Sequence, residues 1–351
     1  MGEEIGPLIP GLPDDISLIC LARVPRQYHH ILNCVHKRWK YVVSSEEFLS
    51  YRRKHNLQET WIYAICKGRD KQNRFFVMDP NHQPKRCWKV LQGIPPQCLR
   101  RQGMCFETLG GRLYFLGGCD WNAGVTNEVY CYDPCRNVWE QAAPLPSPRC
   151  YFISTTLNNT LYTTNEKEVN SLSTLSWDAY NTISKTWASC EGHEVPGKLV
   201  KCITVDCRIY MVHEVQERGY YVTRIYDPST NTMQLLEERG MSLCWYGPFG
   251  PTIIIDCTLY MLDETSGTKL LKWDDENDTW VSLGKLSPLL TRPPCKIVVV
   301  GKKIFIVGVG LMTVIVDVDV AAKSGGMLTS SSIIPEFYSE FVVLGCKTSS
   351  I

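Results

Sequence analysis

The chain has 351 residues, 44% hydrophobic and 21% charged, with 25 Gly and 20 Pro. That is the make-up of a folded chain rich in turns, and it excludes wholesale disorder, a fibre or a mini-protein. At about 150 residues per domain the length allows two or three compact units, or one large repetitive one. Lys and Arg total 37 against 36 Asp and Glu, so no global field favours nucleic acid or an anionic membrane, and neither is an expected partner.

The 17 cysteines are odd in number and scattered, unlike a secreted disulfide framework, and the N-terminal stretch has neither a basic nor an apolar signal region. The expectation is a reduced protein of the cytoplasm or nucleus, with its cysteines serving as small buried hydrophobes. The longest apolar run, 304–316, is too short to span a bilayer. The triplets Asn158-Asn159-Thr160 and Asn277-Asp278-Thr279 are read as turn composition rather than glycosylation sites.

In chain order, residues 1–11 read as a tail and 12–56 as helical. Leu12-Pro13-Asp14-Asp15 sets up a helix start with Asp14 as its cap, and apolar residues recur at Ile16, Ile19, Cys20 and Val24 before Pro25 stops the helix. A second helix is expected over 27–33. A third carries Val35, Trp39 and Val42, and Ser44-Ser45-Glu46-Glu47 supplies a capping box before Phe48 and a final basic helix. A unit of this size cannot bury a sufficient core alone and should lean on a partner.

These residues resemble the F-box: LPDDI, a hydrophobic stretch ending Val24-Pro25, then Val35-His36-Lys37-Arg38-Trp39, then Phe48. The resemblance implies docking on a Skp-type adaptor that leads to the cullin and RING subunits of a ubiquitin ligase. Carried over by position, the docking surface is Leu12, Pro13, Ile16, Ile19, Leu21, Val24, Pro25, Val35 and Trp39. The same apolar atoms also have to build the bundle core, Trp39 above all. His36 stands where the family usually has Cys, and a Cys lies two positions earlier at Cys34.

From residue 61 to 346 the chain repeats. A short apolar segment with an aromatic recurs at Tyr63, Tyr114, Tyr162, Tyr210, Tyr260 and Phe305, at spacings of 45–51 residues. An apolar stretch ending in Asp follows each, at Asp79, Asp133, Asp178, Asp227, Asp274 and Asp317. A tryptophan comes next at Trp88, Trp139, Trp187 and Trp280, with Met233 in that place in the fourth copy. A further apolar strand precedes five of the aromatic segments, joined by Gly110-Gly111, Asn158-Asn159, Asp206, Asp256 or Gly301, which is the chemistry of primed hairpin turns. Four strands every 48 residues or so describe a β-propeller blade. The expected blades are about 61–97, 104–146, 150–190, 201–240, 245–287 and 295–332. The first lacks a strand before Trp61, and 341–344 is expected to supply it as the innermost one, removing an open edge.

Gly117-Gly118, Tyr132-Asp133-Pro134 and Trp139 resemble the kelch repeat, and with the helical unit the whole chain resembles plant F-box/kelch-repeat proteins. Trp177-Asp178 and Trp273-Asp274 spell the WD dipeptide, but both are read as filling the slot of Tyr132-Asp133, which favours kelch. The implied fold is a small all-α F-box domain followed by an all-β six-bladed kelch-type propeller. The implied function is substrate recognition in a Skp-cullin-F-box ubiquitin ligase, with an unknown target protein on the propeller.

Catalytic chemistry is not evident. The 7 histidines form no closed zinc spacing, neither at His29, His30, Cys34 and His36 nor around Cys131 and Cys135, and no phosphate-binding or nucleophile motif occurs. No cofactor and no metal is expected. Some kelch propellers are copper radical oxidases, but the required ligand set cannot be assembled here, which leaves a metalloenzyme as the remote alternative and a non-ligase scaffold as the nearer one. A basic run lies between Lys67 and Arg101, read as a solvated blade edge or a steering patch for an acidic partner. In kelch proteins the ligand face is built from loops after the second strand and loops entering the first. Here these offer Asp120, Trp121, Asn122 and Tyr221, and Arg101, Arg149, Lys201, Trp245, Tyr246 and Arg292, with Trp121 and Arg149 foremost.

Overall fold

Four short helices form first: α1 (Asp14–Ala22), α2 (His29–Val35), α3 (Lys37–Val43) and α4 (Glu46–Lys54), with a 3-10 turn (Arg26–Tyr28) between the first two. The structure is a computed structural model, and it describes residues 7–82, 86–169, 172–190, 192–195, 197–215, 220–236, 250–263, 268–277, 279–321, 330–335 and 340–351. Ser45 caps α4 by accepting from the Phe48 amide at 3.2 Å, with Glu46 and Glu47 in the first turn and Arg52, Arg53 and Lys54 in the last, as the dipole favours. His36 caps α3 through Nδ1, which accepts from the Arg38 amide, so the histidine in the usual cysteine position serves the fold. Asp14 does not cap its own helix. Its carboxylate accepts from the Leu8 amide at 2.6 Å and pairs with Arg38 at 2.6 Å, tying the start of α1 to the start of α3.

The bundle core is small: Leu8, Leu21, Ala22, Val43 and Phe48, with Leu18, Trp39 and Leu49 packed around it. Arg52 is buried and donates to three backbone carbonyls, Ala22 (2.6 Å), Val24 (3.0 Å) and Leu57 (2.6 Å), while pairing with Glu59. A buried charge survives only where it is so satisfied. Beside it, His29 shares a hydrogen bond with the Val24 carbonyl, and burial holds its imidazole down to about 4. It is therefore neutral at physiological pH, with Nε2 as the donor.

The remainder is a six-bladed β-propeller of antiparallel four-stranded sheets, with a short fifth strand, His193–Val195, added to blade 3. From the innermost strand outward, blade 1 is Val342–Ser350, Thr60–Lys67, Asn73–Met78 and Lys89–Val90. Blade 2 is Cys105–Leu109, Arg112–Leu116, Val129–Asp133 and Val138–Ala142. Blade 3 is Ser154–Leu157, Thr160–Val169, Leu172–Asn181 and Thr186–Ser189. Blade 4 is Lys198–Val205, Arg208–Val215, Tyr220–Asp227 and Thr232–Leu235. Blade 5 is Thr252–Ile255, Thr258–Asp263, Lys269–Asp274 and Thr279–Lys285, and blade 6 is Lys296–Val300, Lys303–Val307, Thr313–Asp317 and Ser330–Ile333.

The landmarks of the repeat have structural roles. The turn aspartates accept from the amide two residues on, at Asp79, Asp133, Asp227, Asp274 and Asp317. In blade 3 that acceptor is Asn181, not Asp178. Tyr180 lies opposite Trp187 as Tyr132 lies opposite Trp139, so Tyr180-Asn181 occupies the turn slot and Trp177-Asp178 sits three residues before it. The turn landmark of that copy is thus Asn181 and not Asp178. The tryptophans join blades: the indole N–H of Trp139 donates to Gln92 of blade 1, Trp187 to Ala143 of blade 2, and Trp88 to Thr313 of blade 6. The outer edges of blades 1, 2 and 3 are thereby fastened to the preceding blade.

Gly117 and Gly118 have φ of 57° and 98°. A Cβ on Gly117 would run into the Arg149 carbonyl oxygen, and the Gly118 amide donates to that oxygen at 2.9 Å. The glycine pair is thus the contact through which blade 2 receives the loop entering blade 3.

The terminal strand pairs with Thr60–Lys67 along its length, from Thr60 opposite Ser350 to Lys67 opposite Val342. It extends well past 344. Its polar half escapes the apolar pattern because those side chains face other polar groups: Lys347 pairs with Glu107 at 2.7 Å, and the Ser349 hydroxyl donates to the Gly111 carbonyl at 2.7 Å.

Candidate protein-interaction sites

In a ring of meanders, the turns joining first to second and third to fourth strands gather at one end. The loops joining second to third strands, and successive blades, gather at the other. The helical unit sits on the first end. Arg26 donates to the Pro134 carbonyl at 2.5 Å, Arg136 reaches the Ser44 carbonyl and pairs with Glu46 at 2.7 Å, and Glu59 and Ile351 exchange both backbone hydrogen bonds at 2.8 Å. The contacts that brace the helices come from Arg26, Ser44, Glu46 and Glu59.

The apolar residues assigned to docking lie elsewhere on the helices. Leu12 is 37% exposed, Ile16 40% and Val35 59%, and Pro13 and Pro25 are also exposed. Ile19 and Val24 are half-buried. Two assignments change. Leu21, at 3% exposure, is core and cannot reach a partner without unfolding α1. Trp39 is half-buried on the core and its indole donates to the Leu8 carbonyl at 2.7 Å, so it holds the bundle and offers only part of its ring. Sequence reasoning passed over Tyr28, Ile31 and Tyr41, which are exposed. Tyr28, Ile31 and Val35 lie three and four residues apart, a helical stripe that was there to be read.

At the opposite end, a two-stranded hairpin pairs Cys119–Asp120 with Gly124–Val125 and projects from blade 2. Its tip carries Trp121, 98% exposed, beside exposed Asn122, with the Asp120 carboxylate accepting from the Asn122 amide at 2.9 Å. Tryptophan is among the side chains that interface hot spots favour, and this one stands fully in water on a hydrogen-bonded turn.

Arg101 and Arg149 are not contact residues. They are 4% and 9% exposed. Arg149 pairs with Asp178 at 2.5 Å, donates to the Thr164 carbonyl at 2.9 Å and lies over the Phe152 ring. Arg101 pairs with Glu128 and lies over Tyr130. Both are internal braces of the loops that were expected to present them. Lys201 is half-buried and donates to the Gly250 carbonyl at 3.2 Å, and burial brings its ammonium down to about 8. Tyr221 is half-buried in the third strand of blade 4, and Arg292 is exposed while its carbonyl accepts from the Val309 amide at 3.1 Å. Trp245 and Tyr246 lie outside the described residues.

Part of the basic run is spent locally, since Arg69 pairs with Glu340 and Arg74 with Asp70. Along the propeller axis lies a cavity of about 570 Å³ lined among others by Arg101, Glu107, Lys201, Lys296 and Lys347, which the strand pattern had not suggested. Among the described residues no group of three metal-ligating side chains converges. The described cysteines are all free thiols, and burial pushes Cys98 up to about 12 and Cys131 to about 11. The expectation of buried cysteines holds only in part: Cys66, Cys98, Cys131, Cys295 and Cys346 are buried, whereas Cys20, Cys34, Cys87, Cys207 and Cys257 are exposed.

Comparison with known proteins agrees with this geometry. The F-box domain family matches residues 9–51 and the Kelch motif family residues 100–146. The chain is 35% identical over 347 residues to the F-box/kelch-repeat protein SKIP4 of Arabidopsis thaliana, covering 98% of this chain and 94% of that protein. It is 33% identical over 195 residues to a second F-box/kelch-repeat protein of that plant, covering 54% and 50% of the two chains. The solved structure of YjhT superposes with a TM-score of 0.50 at 14% identity, covering 81% of this chain and 94% of that one, which supports the fold. A helical domain that matches the F-box, a six-bladed ring of kelch-like blades and near full-length similarity to SKIP4 lead to one conclusion: the chain belongs to the F-box/kelch-repeat proteins.

Proposed function

We propose that this protein is the substrate receptor of a Skp-cullin-F-box ubiquitin ligase, acting in the cytoplasm or nucleus. The helical unit takes a Skp-type adaptor through Leu12, Pro13, Ile16, Ile19, Val24, Pro25 and Val35, with the edge of Trp39. Through that adaptor the protein joins the cullin and RING subunits. The far end of the propeller, with Trp121 at its tip, takes a target protein. The polypeptide performs no bond chemistry. It raises the effective concentration of the target's lysines near the charged ubiquitin carrier.

The observation that carries this reading is the division of the helical surface. The contacts to the propeller use Arg26, Ser44, Glu46 and Glu59, while Leu12, Ile16 and Val35 stay in water. A brace alone leaves those apolar side chains without a purpose, and their exposure favours the ligase reading over a scaffold. Pulldown with a Skp-type adaptor tests it. A Leu12→Ala, Pro13→Ala double variant should lose most adaptor binding while keeping its far-ultraviolet circular dichroism. Undiminished binding would remove these residues from the docking surface.

A further inference from the structure

The Trp121 hairpin is tied to its surroundings by more than the turn at its tip. Cys119 begins it, and Cys150 lies in the loop entering blade 3. The residues just before them, Gly118 and Arg149, are hydrogen-bonded backbone to backbone at 2.9 Å, and the Arg149 amide returns a bond to the Thr126 carbonyl at 3.2 Å. The Cys119 and Cys150 side chains are close neighbours, and the Cys119 thiol donates to the Gln102 carbonyl at 3.6 Å. Both cysteines are partly exposed. This sets them apart from Cys66 and Cys346, which adjoin in blade 1 but are closed to solvent, with Cys346 pushed up to about 12 by burial.

We propose that Cys119 and Cys150 form a reversible disulfide that clamps the Trp121 hairpin to the loop entering blade 3, with a low-molecular-weight disulfide such as oxidised glutathione as the oxidant. One cysteine thiolate attacks a glutathione sulfur, the glutathione disulfide breaks and one glutathione thiolate leaves. The second cysteine, deprotonated, then attacks the sulfur of the protein-bound mixed disulfide and expels the other glutathione thiolate. Two cysteine protons and two electrons leave the protein, and one glutathione disulfide becomes two thiols. The backbone bond between the preceding residues holds the two cysteines side by side, the proximity a disulfide demands. The chemistry stands independently of whether Trp121 meets a target. If it does, oxidation fixes the orientation in which the indole is offered.

The test is incubation of the full chain with oxidised glutathione, alkylation of the remaining thiols and non-reducing peptide mapping, with fragmentation to assign each sulfur. The expected result is a peptide pair joined through Cys119 and Cys150, two hydrogens lighter than the reduced pair. It should dominate over other pairings in the folded chain and lose that dominance when the chain is first unfolded in urea. Cys150→Ser should abolish the pair and leave a glutathione adduct on Cys119. Amide exchange across residues 117–128 should slow in the oxidised wild type and not in Cys150→Ser. Recovery of both cysteines in alkylated form while other cysteines oxidise would overturn the proposal. So would a 119–150 link no more abundant in the folded chain than in the unfolded one.

Discussion

The helical unit and the propeller solve opposite problems with the same kinds of residue. The propeller buries most of the apolar side chains of its inner strands between neighbouring blades, and it seals the ring by placing the terminal strand inside blade 1. Two of its ion pairs are largely buried, Glu107 with Lys347 and Arg149 with Asp178. The helical unit is too short for that. It buries Leu21, Ala22, Val43 and Phe48, leans on blade 2, and leaves Leu12, Ile16 and Val35 in water. The difference teaches where to look for partners: the closed body offers isolated features on its loops, whereas the open bundle offers a surface.

The largest expected effect that would sharpen this contrast lies in the ring. Arg149→Ala leaves Asp178 buried and unpaired, which should destabilise the protein by about 3–5 kcal/mol, read as a fall in thermal midpoint. Replacing both partners by apolar residues should recover much of the loss. In the bundle, Arg52→Ala strips donors from the Ala22, Val24 and Leu57 carbonyls and should cost about 3 kcal/mol, with proteolysis then starting in residues 7–56 rather than in the blades. If Arg52→Ala loosens the blades first, the two regions are not separable.

Acid should act on both regions. His29 and His213 are each held down to about 4 from 6.5 by burial. The unfolded chain therefore binds these protons first, and stability falls as pH drops from about 6.5 toward 4, by about 3 kcal/mol per histidine at full effect. Urea midpoints across this range should show the slope, and His213→Gln should lessen it. A slope unchanged in that variant contradicts the assignment.

A milder comparison concerns glycine. Gly110 has φ 59° with open space around it, whereas Gly117 has φ 57° with the Arg149 carbonyl against it. Gly110→Ala should cost about 1 kcal/mol from the backbone alone, and Gly117→Ala clearly more. Thermal melts of the pair decide. Trp121→Ala should be smallest, within about 0.5 kcal/mol of wild type, since the side chain touches little.

Much of this was legible in the sequence, because spacing survives where individual residues drift. The recurrence of an aromatic, an aspartate and a tryptophan revealed the blades. Two places misled it for physical reasons. In blade 3 an Asn does the turn aspartate's work, so the nearby Trp177-Asp178 served as a decoy. The closing strand was read short because its polar half pairs with polar groups of the adjacent blade 2 instead of filling a core. The binding residues were less legible. Arginines on loops read as surface, yet Arg101 and Arg149 are interior braces, and burial is a property of the folded neighbourhood. Leu21 and Ile16 were both assigned to the docking surface by resemblance, and only the packing separates the side chain that faces inward from the one that faces out.

The central claim is that the exposed apolar side chains of the helical unit, and not its core or the propeller, hold the adaptor. Calorimetric titration of a Skp-type adaptor into the full chain tests it most directly, comparing wild type, an Ile16→Asp, Val35→Asp double variant and Trp121→Ala. Wild type and Trp121→Ala should bind alike, while the double variant should show no heat of binding at an unchanged thermal midpoint. Absence of binding by wild type, or equal binding by the double variant, would contradict the account.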